Sequence, residues 1–130
     1  MLPVYNTAQT LQKVAFAADL ARATGADINI LALNSTGLKS MNRIVDANVA
    51  KVEKHLEEKG IDFIVDRIKS KNIGADIIEH SLKIDADLIA IMTDSQDQAS
   101  SIMLGPIAQQ LINNSPVPVL SIHPKDSFTL

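Results

Sequence analysis

Apolar residues recur at Leu11, Val14, Ala15, Ala18 and Ala21, a spacing of three and four that lines one face of a helix. A helix is predicted from about Ala8 to Thr24, with Gly25 as its stop. Ile28 to Leu33 follows as a nearly unbroken apolar run, short enough for a strand buried on both faces, as in a parallel sheet. Met41, Ile44, Val45, Val49, Val52 and Leu56 then repeat at helical spacing up to Gly60, with Lys and Glu on the other faces. Ile61, Phe63 and Val65 alternate with Asp62 and Asp66, interrupted by Ile64, which predicts a strand nearer the sheet edge.

The second half repeats this rhythm. Ile73, Ile77, Ile78 and Leu82 predict a third helix over 72–84, and Leu88–Met92 a second buried strand. A polar stretch from Thr93 to Gln98 separates that strand from a fourth helix over about 101–113, with Ile102, Met103, Ile107, Leu111 and Ile112 facing inward. Val117–Ile122 is the last strand, opened by Pro116 and Pro118, and Leu2–Tyr5 is the candidate first strand. The order βαβαβαβαβ predicts a parallel sheet with right-handed crossovers and a ligand crevice beyond the strands' carboxyl ends. The loops after Val4, Leu33 and Met92 are therefore the candidate functional loops.

With 130 residues, 46% hydrophobic and 21% charged, the chain is sized and composed as one globular domain. A net charge of −3 and scattered Lys and Arg argue against nucleic acid, as do four isolated aromatics. No cysteine is present, which excludes thiol chemistry and fits a reducing compartment. No stretch nears the ~20 apolar residues of a membrane span, so a cytoplasmic protein is expected.

Few residues invite catalysis. His55, His80 and His123 have no metal-ligand spacing, so no metal site is expected and His55 reads as a packing residue. Asp94 and Asp97 could serve acid–base work or Mg²⁺, but no nucleophile or base accompanies them. Ser100 or Ser101 is explained by helix capping. A receiver-type reading built on Asp85 and Asp87 fails because Tyr5-Asn6-Thr7 supplies no acidic pair.

The run Met103-Leu104-Gly105-Pro106 through Ile112, followed by Ser115-Pro116-Val117-Pro118-Val119-Leu120, resembles the closing block of the universal stress protein family. Ala17-Ala18 and Gly25-Ala26-Asp27-Ile28 are similar to the family's first helix and second strand. The resemblance implies a Rossmann-like α/β domain of the adenine nucleotide alpha hydrolase type. Its open five-stranded parallel sheet has helices on both faces and strand order 3-2-1-4-5. The domain covers residues 1–123, with 124–130 as a C-terminal tail. Its first strand reads as truncated, since Leu2–Val4 spans only about 10 Å, and the chain is similar to the second half of a tandem family member.

The resemblance also implies a nucleotide pocket. Its positions fall on Pro3, Val4, Tyr5, Leu33, Met92 and Thr93, and on Asp94, Ser95, Gly105, Pro106 and Val119. Family members that hold ATP carry Gly-x2-Gly-x9-Gly-Ser/Thr; anchored on Gly105, the other positions here are Met92, Ser95 and Pro106. Side chains stand where a backbone must approach phosphate, and Pro106 has neither hydroxyl nor N–H. Tyr5 replaces the acidic residue at the end of the first strand. The expectation is a non-catalytic stress-response or signalling module with a degenerate pocket and no cofactor. The alternative is an ATP or adenine-nucleotide binder with an atypical loop and slow ATPase activity at most. The last strand, Val117, Val119, Leu120, Ser121 and Ile122, is expected to pair across a homodimer or with a sister domain.

Overall fold

The computed structural model describes residues 1–6, 10–35, 37, 39–92 and 105–122. Strands and helices alternate along the chain: β1 (Leu2–Val4), α1 (Thr10–Thr24), β2 (Ile28–Ser35), α2 (Lys39–Glu58), β3 (Phe63–Ser70) and α3 (Ile73–Lys83). They continue with β4 (Ile89–Met92), α4 (Pro106–Asn114) and β5 (Val119–Ile122). Among the described residues no helix is long and apolar enough to cross a membrane.

Three helices end by the same device. Gly25 (φ 70°) and Gly60 (φ 68°) take left-handed backbone after α1 and α2, and Asp85 (φ 55°) does so after α3. The next amide then reaches back to close the helix: Ala26 N–H to Ala21 O at 3.0 Å, Ile61 to Leu56 at 3.0 Å, and Ala86 to Ser81 at 2.9 Å. This 6→1 closure satisfies carbonyls that would otherwise be orphaned and turns the chain into the following strand.

The strands are parallel, and both faces of the sheet are covered. Leu2, Val4, Ile30 and Ala32 pack beneath Val14 and Ala18 of α1 and Val45, Val49 and Val52 of α2. Leu31, Leu33, Ile89 and Ile91 pack on the opposite side against Ile77 of α3 and Leu111 of α4. Alternation along β2 thus feeds two cores, which is why the strand reads as a continuous apolar run.

A single five-stranded sheet is not what forms. β1, β2 and β3 make one sheet, paired in register from Ile28↔Phe63 to Ser35↔Ser70, and β4 and β5 make another. The two meet at Met1, whose amine donates to Leu88 O at 2.7 Å and whose carbonyl accepts from Ala90 N–H at 3.0 Å. Groups facing one neighbour recur at every second strand residue, so Pro3 stands at the next rung on this side, and Pro3 has no N–H to give. The β1–β4 seam therefore stops after one rung, and the expected order 3-2-1-4-5 survives only as two abutting sheets.

Some side chains expected inside are outside. Ile44, Leu82 and Ile112 are 48%, 55% and 46% exposed. Each has a neighbour or near neighbour that takes the inward direction, such as Val45 beside Ile44 and Leu111 beside Ile112. Successive helix residues point about 100° apart, so only one of an adjacent pair can face the sheet. β3 also runs to Ser70, past the predicted Val65, because β2 offers a full-length partner edge to the polar Asp66–Ser70 segment.

Candidate functional site

The crevice lies where the topology places it, beyond the carboxyl ends of β1, β2 and β3. Tyr5 and Leu33, both anticipated, line a half-open cavity of about 210 Å³ there. Met41, Val45 and Ile73 complete its apolar wall. Its polar lining comes from Asn6, Asn34, Ser35, Ser70 and Lys71, none of which the sequence reading singled out. The register explains part of this, since Ser35 and Ser70 are paired as the last residues of β2 and β3. The volume lies below the ~300–1,000 Å³ usual for a drug-sized ligand.

Helix side chains fasten the strand ends that frame the cavity. Asn42 of α2 accepts from Ser35 N–H at 2.7 Å and donates to Ser35 O at 3.0 Å, so one carboxamide satisfies both backbone groups. Asn48 donates to Tyr5 O at 2.8 Å. Lys13 of α1 donates its ammonium to Pro3 O. These contacts hold β1 and β2 at the site with backbone polarity already spent on the protein itself.

Lys13 is a further residue that the sequence reading missed. It is 1% exposed, and its Nζ lies 5.5 Å from the centroid of the Tyr5 ring. Burial pushes its ammonium down to about 7 from the ordinary 10.5, because an enclosed charge loses its hydration. No carboxylate lies within ion-pair distance of it among the described residues. A signal was present: Lys13, Ala17 and Ala21 share one helical stripe, with Val14 and Ala18 beside it.

The other anticipated positions fall elsewhere. Val4 is fully buried in β1, and Met92 is buried at the end of β4. Gly105 is the N-cap of α4 and makes no side-chain cap bond, while Pro106 occupies the first turn. Val119 pairs with Ile89 at the amino end of β4, away from the crevice. Thr93, Asp94 and Ser95, with Asp97, Ser100, Ser101 and His123, lie outside the described residues.

The two described histidines take structural places. His80 Nε2 lies 2.9 Å from Asp66 Oδ2, which also accepts from Asn29 Nδ2 at 2.9 Å. The Asn29 bond, then the His80 contact, hold the Asp66 carboxyl below its ordinary value. His55 packs half-buried in α2 beside Leu56. No three His, Asp or Glu side chains converge among the described residues.

The chain is 28% identical over 134 residues to a universal stress protein of Mycolicibacterium smegmatis, covering 95% of this chain and 98% of that one. A solved universal stress protein from Archaeoglobus fulgidus superposes with a TM-score of 0.80 at 17% identity, over 93% of this chain and 95% of that one. A universal stress protein from Archaeoglobus fulgidus in complex with dAMP superposes with a TM-score of 0.74 at 17% identity, over 93% and 94%. The universal stress protein family matches residues 1–123. With nearly the whole domain matched and the alternating α/β architecture in place, this chain belongs to the universal stress protein family.

Proposed function

We propose that the chain is a non-catalytic binding module of this family. It acts in the cytoplasm, in stress response or signalling, through a partner protein or a loosely held small ligand. The observation that carries this is the start of α4. A phosphate bound at a helix start needs convergent backbone N–H groups and close approach. Here Gly105 caps the helix without help from a side chain, and Pro106 in the first turn contributes no N–H. Met92, at a family glycine position, carries a buried side chain. These residues do not fit a triphosphate.

A second reading, an adenine-nucleotide binder with an atypical loop, draws support from the dAMP complex of the structural neighbour. Isothermal titration with ATP and Mg²⁺ separates the two. The proposal expects no affinity tighter than about 10 μM, near −7 kcal/mol. Tighter binding with one equivalent per chain would establish the second reading.

A homodimer through β5, or the equivalent pairing with a sister domain, is part of the same proposal. β5 pairs with β4 on one side, and Val119, Leu120 and Ile122 are only half-buried in the single chain. An edge of that kind can accept another strand. Light scattering at tens of micromolar should give twice the 14.0 kDa chain mass; the chain mass alone would refute the dimer.

A further inference from the structure

The geometry points to the cavity beyond β1, β2 and β3 as a site for a small oxyanion, a phosphate or carboxylate group, held by Asn6, Asn34, Ser35 and Lys71 and backed by the buried Lys13. This names a ligand for the binding module proposed above and rests on that reading.

Three observations converge on it. The first is the lining: two carboxamides, two hydroxyls and one ammonium surround the opening, and no carboxylate is among the lining residues. Asp76 stands behind this rim and accepts the Ser70 hydroxyl at 2.6 Å, so that Ser70 is committed to the protein. Asn6, Asn34, Ser35 and Lys71 are the groups left to meet oxygen atoms, the set suited to charge-assisted hydrogen bonds.

The second observation is the cation behind the wall. Tyr5 lines the cavity and also has Lys13 Nζ at 5.5 Å from its ring centroid. Lys13 is enclosed, donates to the Pro3 carbonyl, and has no carboxylate within ion-pair distance among the described residues. A positive charge in such surroundings is costly, and an anion entering nearby would offset that cost. The lowered proton affinity of Lys13 agrees with this. The third observation is size: about 210 Å³ suits an anionic group of a few heavy atoms better than a whole nucleotide.

The test is a titration of the wild-type chain with inorganic phosphate, and separately with acetate, at low ionic strength, followed by backbone amide shifts. The expected result is saturable movement of the Asn34 and Ser35 amides with Kd of about 1 mM or tighter. Whichever anion binds more tightly distinguishes a phosphate from a carboxylate ligand. Lys71→Met should weaken binding about tenfold by removing a rim donor. Lys13→Met, which keeps the buried volume apolar, should weaken it by a similar factor while the fold is retained. Unmoved Asn34 and Ser35 amides, or equal affinity in wild type and both variants, would overturn the inference. ATP with Mg²⁺, titrated in parallel, keeps the two readings apart. Tight ATP binding with shifts at Gly105 sinks the earlier proposal, whereas a flat phosphate and acetate titration sinks this one.

Discussion

Lys13 of α1 donates its ammonium to the carbonyl of Pro3, the middle residue of β1. One pair thus joins a buried cation to the strand residue that lacks an N–H. The contact lies where the two sheets fail to merge, and the Tyr5 ring beside it lines the cavity beyond the strand ends.

The first consequence is a pH dependence of stability. Folded Lys13 gives up its proton near pH 7, while the unfolded lysine does so near 10.5. Between these values the unfolded chain binds more protons, so stability rises with pH across that window and falls as pH drops toward 7. Replacing Lys13 with Met removes this contribution. The stability difference, wild type minus variant, should therefore climb by about 1.4 kcal/mol per pH unit at its steepest. Urea unfolding of both proteins between pH 6.5 and 9.5 measures it, and a difference that stays constant with pH would contradict the buried placement of the ammonium.

Pro3→Val tests why the sheet divides. The new N–H faces β4 one rung beyond Met1 and finds the Ala90 carbonyl side of that strand. Hydrogen exchange at position 3 should then be as slow as at the β2 core amides. Exchange at the rate of an exposed loop would show that something other than the missing donor separates β1 from β4.

Asp85 holds the left-handed position after α3 that glycine holds after α1 and α2. A side chain there costs roughly 1 kcal/mol relative to glycine. Asp85→Gly is expected to stabilise the domain by about 0.5–1 kcal/mol, read as a higher urea midpoint with an unchanged slope. Gly25→Ala should do the reverse by a similar amount.

The contrast between these closures also shows what could be read in advance. Gly25 and Gly60 announced two helix ends because glycine is the usual residue at positive φ, whereas Asp85 does the same work without the same signal. The apolar runs of β2 and β4 were legible as buried strands, since both faces of each feed a core. The polar half of β3, Asp66 to Ser70, was not, because its strand conformation comes from pairing with β2 and not from its own pattern. At the site, the rule that crevices sit beyond strand ends pointed to the loops after Val4 and Leu33, and the family resemblance named Tyr5 and Leu33 themselves. Ser35, Ser70 and Lys71 did not, because their place depends on where β2 and β3 stop. Lys13 was hidden by its type: lysine is rarely enclosed, so a stripe running through it reads as a solvent face.

The central claim is that the residues before and at the start of α4 have lost the means to hold phosphate. Restoring them tests it most directly. In the double variant Ser95→Gly, Pro106→Ser, the ring is removed from an exposed helix position and the backbone N–H and hydroxyl return, with buried Met92 left untouched. Titration with ATP and Mg²⁺ should then give binding at least tenfold tighter than wild type, a gain of about 1.4 kcal/mol or more. Equal affinity in the two proteins, or tight binding by the wild type itself, would contradict the account.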